Sequence, residues 1–191
     1  MDEARFIEAV LRNPVNRIIL ERLPILALND PWLVSGSLFQ TVWNGLTGRS
    51  PDYGIKDYDV FYFDPDTSWA AEDVIIRRAA ACLSDVGAHI ELRNQGRVHL
   101  WYPEKFGTPY PPVQRATDSI DRFLAVASQV GIRLVKNRFE VYAPRGFNDI
   151  VTLTIRPNLR PDFRADLYEA KAASWKARWP ELLILPATSQ Q

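Results

Sequence analysis

Cysteine is nearly absent: the 191 residues contain one, Cys82, alongside only two histidines. A lone cysteine excludes an internal disulfide, and within Ala79-Ala-Ala-Cys-Leu83 it reads as a small core residue rather than a nucleophile. His89 and His99 are too far apart and too poorly accompanied for a zinc site. No apolar run approaches the roughly 18 residues that a membrane span requires. The start, Met1-Asp-Glu3, shows no basic-then-apolar leader, so a cytoplasmic protein without a membrane partner is expected. Charge of one sign is lacking too, since 23 Lys and Arg offset 23 Asp and Glu. Nonspecific binding to long nucleic acid draws on a basic excess. No long polynucleotide partner is therefore expected, although a nucleotide substrate stays open.

What is present is ordinary globular material, 47% hydrophobic and 24% charged, and a chain of this length buries roughly 70% of its unfolded surface. One domain over residues 1–191 is expected, with N-terminal helices over 1–27, a core over 28–143 and C-terminal helices over 144–185. Residues 2–22 show two apolar stripes and read as a helix broken at Asn13-Pro14, where Asn13 caps and Pro14 suits a first turn. A strand within 26–35 leads to a helix over 38–46. Gly48 to Lys56 reads as a loop, 57–63 as a strand and 69–86 as a helix closed by Gly87. His89–Arg93 alternates and is expected to pair with Arg97–Trp101 as a hairpin across Asn94-Gln-Gly96. Pro103 to Ala116 reads as a long loop and 118–128 as a helix. A second hairpin joins 132–135 to 139–142 at Lys136-Asn-Arg138. Short and long helices follow over 148–155 and 162–178, and a polar tail from Pro186. Interleaved helices and strands with hairpins give a mixed α/β (α+β) fold, a partly antiparallel sheet flanked by helices.

Chemistry concentrates in two places. In a strand, residues i and i+2 share a face about 6.6 Å apart, so Asp57 and Asp59 project side by side, with Phe61 and Phe63 beyond them. Two parallel carboxylates repel and invite a hard cation, Mg²⁺ or Mn²⁺, that also takes phosphate oxygens. An Asp-x-Asp in isolation is more often a solvated turn or a cap at a strand start. Gly36-Ser37 stands where a strand hands over to a helix, and backbone N–H groups there can hold a phosphate; a plain helix cap is the other reading.

Taken together, Gly36-Ser37, a helix and Asp57-x-Asp59 on a strand resemble the DNA polymerase β-type nucleotidyltransferase superfamily. Asn44-Gly-Leu-Thr-Gly48, Asp57-Tyr-Asp-Val-Phe-Tyr-Phe-Asp64, Arg93-Asn-Gln-Gly-Arg-Val-His99 and Thr154-Ile-Arg-Pro157 are similar to a bacterial, mostly uncharacterised nucleotidyltransferase-like group within it, from about Leu28 to about Trp179. The resemblance implies the polymerase β-type fold and Mg-dependent transfer of a nucleoside monophosphate from a nucleoside triphosphate to an acceptor hydroxyl, with release of pyrophosphate. It implies a triphosphate contact at Gly36 and Ser37, metal and catalytic roles for Asp57 and Asp59, and a third acid on a neighbouring strand. Glu91 is the candidate for that acid, and a surface Glu paired with Arg93 or Arg97 is the competing reading. Lys56, Arg93, Arg97 and Arg156 are candidates to neutralise the phosphates. The arginine that often follows the Gly-Ser motif in related transfer-RNA-end-adding enzymes has no counterpart in Leu38-Phe-Gln40, and the loop 47–56 is expected to shape the acceptor pocket. A small-molecule or protein acceptor fits a chain with no evident nucleic-acid-binding domain. The alternative is a catalytically inactive nucleotide- or partner-binding module, and the oligomeric state stays open.

Overall fold

The computed structural model describes residues 1–187; all but Pro186 and Ala187 of the expected polar tail lies outside the described residues. Helix α1 spans Glu3–Val10 and α2 spans Pro14–Arg22. Asn13 accepts from the Val15 and Asn16 N–H groups, and Pro14 opens α2, as the break at Asn13-Pro14 requires. Strand β1 is shorter than expected, Trp32–Val34, because Leu23–Leu26 winds into a 3-10 turn. Then come α3 (Gly36–Leu46), β2 (Tyr58–Tyr62), α4 (Trp69–Cys82), β3 (Ile90–Asn94), α5 (Val98–Phe106) and α6 (Ala116–Ile120). The chain ends with β4 (Gly131–Val135), β5 (Arg138–Tyr142), α7 (Asn148–Val151), β6 (Thr154–Ile155), α8 (Ala165–Arg178) and β7 (Leu183–Ile184).

The main sheet has the order β3-β2-β1-β4-β5, antiparallel except for the β2–β3 pair, and β6 and β7 form a separate parallel pair. The β4–β5 hairpin turns at Lys136 and Asn137, both at positive φ (48° and 61°), as the two-residue turns that match strand twist require. One cross-strand row, Val141–Ile132–Leu33–Val60–Leu92, faces the main core. That core also takes Phe6 and Val10 of α1, Ile19 of α2, Phe39 and Trp43 of α3, and Tyr168 and Trp175 of α8. The opposite face carries a smaller cluster of Trp32, Val34, Ala116 and Ile120, joined by Phe61, Phe63, Phe123 and Tyr142. The parity expected for residues 57–63 holds: Tyr58, Val60 and Tyr62 are buried on one side, with Phe61 and Phe63 on the other.

Three expectations are corrected. Residues 97–101 are not a strand: among the described residues β3 is an edge strand that pairs with β2 alone, in parallel, reached through the α4 crossover that such a pairing requires. The chain turns away at Asn94, whose buried side chain accepts from Asp64 N and Gly96 N and donates to the Asp64 and Asp66 carbonyls, and α5 starts. The expected helix over 118–128 is interrupted after Ile120, and a 3-10 turn follows at Val126–Ser128. The helix expected over 148–155 stops at Val151, and Thr154-Ile155 pairs with β7 instead.

Gly96 closes this clamp, since a Cβ there would lie 2.5 Å from the Asp64 carbonyl oxygen. The obstacle is backbone, so Gly96→Ala is expected to cost about 1–3 kcal/mol, read as a lower melting temperature with an otherwise native circular dichroism spectrum.

Candidate active site

The next cross-strand row, Tyr142–Gly131–Val34–Asp59–Glu91, lies on the face opposite the main core. Asp59 stands directly opposite Glu91 of β3 on one side and Val34 of β1 on the other. Adjacent strands run about 4.8 Å apart, so the Asp59 and Glu91 carboxylates rise from neighbouring backbone positions. One residue after Val34, the chain bends at Ser35, which holds φ 54° and ψ −115°. A left-handed φ at a non-glycine residue is strained, and such strain gathers where function fixes the backbone. The bend is held by Ser35 N–H donating to the Val130 carbonyl at 2.9 Å. It delivers Gly36 and Ser37 as the first turn of α3, where N–H groups have no partner within the helix.

Gly36 is confined by Gln40, whose Nε2 would lie 3.0 Å from a Cβ at position 36. Ser37 is fully buried; its carbonyl accepts from Asn16 at 3.1 Å and from Thr41 at 2.6 Å, while its Oγ has no hydrogen-bond partner among the described residues. The Gln40 Oε1 is likewise buried and, among the described residues, unpartnered. Unpaired polar atoms thus gather behind the bend.

Asp57 precedes β2, and the loop that carries it is pinned from behind. Asn44 donates to the Pro51 and Tyr53 carbonyls at 3.1 and 2.9 Å, and its Oδ1 accepts from Trp179 Nε1 at 2.8 Å. Arg178 donates to the Gly54 carbonyl. The loop 47–56 is therefore a packed segment against α3 and the end of α8.

The electrostatics follow from this crowding. Burial first, then the Asp57 charge and that of Glu91, push the Asp59 carboxyl up to about 7, while Lys171 of α8 and Arg93 pull it back. Burial lowers the Arg178 guanidinium below its ordinary value, and the Asp57 charge opposes that shift. Glu91 itself is spanned by Arg93 at 3.3 Å and His89 at 3.8 Å. Among the described residues, no group of three or more His, Cys, Asp or Glu makes a self-contained ion cage. The Asp57 and Glu91 charges both act on Asp59, and carboxylates are the donors that a hard divalent cation takes alongside water and phosphate oxygens.

The basic candidates fall in different settings. Arg93 shares the face of Phe61, its cross-strand partner, beside Glu91. Lys56 is exposed next to Asp57. Arg97 is turned elsewhere: it pairs with the buried Glu72 at 2.8 Å, donates to the Thr67 carbonyl and lies over Trp69. Glu72 in turn accepts from Asn94 N at 2.9 Å, so Arg97 supports the Asn94 clamp. Sequence reasoning missed Gln40, Lys171 and Arg178. Spacing gave a weak signal for the last two, since positions seven apart share a helix face, but only the docking of α8 brings that face to Asp57 and Asp59.

The comparisons with known proteins bear on the family and the fold. A family profile described as "Nucleotidyltransferase" matches residues 21–184. A solved structure described as "a CCA-adding enzyme head domain" is 27% identical, with a TM-score of 0.77 over 97% of both chains. No curated protein matches the chain. With its sheet, strained bend and facing carboxylates, and a profile matched across most of its length, the chain belongs to the nucleotidyltransferase family.

Proposed function

We propose that the protein transfers a nucleoside monophosphate from a nucleoside triphosphate to an acceptor hydroxyl. The observation that carries this reading is the row Val34–Asp59–Glu91, which sets two carboxylates beside the Ser35-Gly36-Ser37 bend. Asp57 and Asp59, with Glu91 across the sheet, would hold Mg²⁺ or Mn²⁺, and the ion supplies charge neutralisation at the phosphates. The backbone N–H groups at the head of α3 orient the triphosphate. Lys171, Arg93 and the exposed Lys56 bring positive charge to the same side. The acceptor oxygen bonds to the α-phosphorus while the bond from that phosphorus to the bridging oxygen breaks, and pyrophosphate leaves with the electron pair. A carboxylate of the row, Glu91 or Asp59, receives the hydroxyl proton.

Binding is the first test. Thermal melts with Mg²⁺ and each common triphosphate are expected to show one that stabilises the protein by about 2.7 kcal/mol at a hundredfold excess over its Kd. No shift with any triphosphate in either Mg²⁺ or Mn²⁺ contradicts the reading.

A further inference from the structure

The break between α1 and α2 sets a polar side chain deep in the core. Asn13 is fully buried. Its Oδ1 caps α2, and its Nδ2 donates to the Tyr58 hydroxyl at 3.1 Å, to Thr41 Oγ1 at 3.2 Å and to the Pro51 carbonyl at 3.4 Å. Thr41, on α3, donates in turn to the Ser37 carbonyl at 2.6 Å. Asn16 of α2 donates to the same carbonyl at 3.1 Å and to that of Val10 at 3.0 Å. All of these side chains are shut off from solvent, Tyr58 being the most exposed at 4%.

Each branch of this network ends on a segment that carries part of the candidate site. Ser37 belongs to the bend at the head of α3. Pro51 lies in the loop 47–56 that leads into Asp57, and Tyr58 stands between Asp57 and Asp59. The Tyr58 side chain faces the core, opposite to that of Asp59, so a bond to its hydroxyl holds the carboxylate strand from behind. Apolar side chains of the same shape would pack here at nearly no cost in stability. What the hydrogen bonds add is direction, because a network satisfied in one arrangement fixes one relative placement of the segments it joins. The segments joined here are the phosphate-binding bend and the start of the carboxylate strand. A single metal-bound triphosphate reaches both only when their separation is fixed.

We propose that Asn13, Thr41 and Tyr58 are positioning residues: through this buried joint the N-terminal helix pair sets the separation between the Gly36-Ser37 bend and the Asp57–Asp59 strand. This role rests on the transferase reading, and none of the three residues need touch a ligand. It predicts a split between two affinities. Mn²⁺ alone meets only the carboxylates, whereas Mn²⁺ with a triphosphate meets carboxylates and bend together. Thr41→Val and Tyr58→Phe each keep shape and remove one hydroxyl. Both are expected to bind Mn²⁺ alone within about twofold of the wild type, and Mn²⁺ with a triphosphate about tenfold more weakly. Thr41→Ser restores the hydroxyl and is expected to restore the binding. Calorimetric titration of the full chain reads both affinities, with Mn²⁺ and then with Mn²⁺ plus each common ribonucleoside triphosphate, at a temperature where every variant is folded by circular dichroism. Tyr58→Phe loses a single oxygen, so it tests the joint even if Thr41→Val does not fold. Variants that bind the triphosphate like the wild type, or that lose Mn²⁺ alone by the same factor, overturn this role and leave the transferase reading standing. A Thr41→Ser protein as weak as Thr41→Val overturns it as well. A wild-type protein that binds no triphosphate overturns the transferase reading and this role with it.

Discussion

Asp59→Asn is expected to raise the melting temperature of the metal-free protein at pH 8 and to leave it almost unchanged near pH 4. The Asp59 carboxyl lies at about 7 in the folded protein, against an ordinary value of 3.8. Between those values the folded state holds a proton that the unfolded chain has released, so wild-type stability falls as pH rises from about 4 to about 7 and then levels off. Asparagine keeps the shape of the protonated acid but never charges. Its advantage is therefore absent in acid and complete above neutrality, on the order of 2 kcal/mol after allowance for coupling to Asp57 and Glu91. In a chain of this size that is roughly 4–8 °C. Melts of both proteins between pH 4 and 8 check it, and parallel curves contradict it. A stabilising substitution in the row is what a functional site predicts, since charges gathered for a ligand strain the empty fold.

The second large effect lies away from the carboxylates. Trp179 is fully buried, packs edge-on to Trp43 at 5.4 Å and to Tyr53 at 5.9 Å, and donates to Asn44. It also lies against Gly54, at φ +68°, where a Cβ would come within 3.0 Å of the indole. Trp179→Ala empties a site walled by rigid aromatics, at an expected cost of about 3–5 kcal/mol, or roughly 6–20 °C in melting temperature. Trp179→Phe keeps a ring but orphans the Asn44 amide oxygen, so about 1–3 kcal/mol is expected. Because the loop 47–56 leads directly into Asp57, both variants are also expected to speed proteolysis of that loop before global unfolding. Limited proteolysis across a denaturant series reads this, and cleavage that tracks only global unfolding contradicts the pinning.

The placement of Asp59 was legible because a strand has a period of two: Tyr58, Val60 and Tyr62 turn to the core and Asp59 takes the other face. The Asn13-Pro14 break, the Lys136-Asn137 turn and the Gly36-Ser37 junction were legible because each is local chemistry with one favoured geometry. Residues 97–101 misled because their alternation is short and the deciding factor is distant: α4 lays β3 parallel to β2, and Asn94 ties the following turn to Asp64. Arg97 resembled a phosphate ligand by charge alone, and its buried partner Glu72 stands on α4. Lys171 and Arg178 were hidden for the same reason, since only the packing of Trp175 against Phe39 and of Trp179 against Trp43 and Asn44 brings α8 to the bend. The strain at Ser35 has no sequence mark, because serine does not favour that backbone.

The most direct measurement is pyrophosphate release from a panel of triphosphates with Mg²⁺, with and without hydroxyl-bearing candidate acceptors, by wild-type protein and by Asp59→Asn protein shown to be folded. The expected result is release from at least one triphosphate by the wild type, reduced by a factor on the order of 10³ in the variant, as for loss of a principal electrostatic stabiliser. Equal rates from the two proteins would contradict a carboxylate-centred transferase.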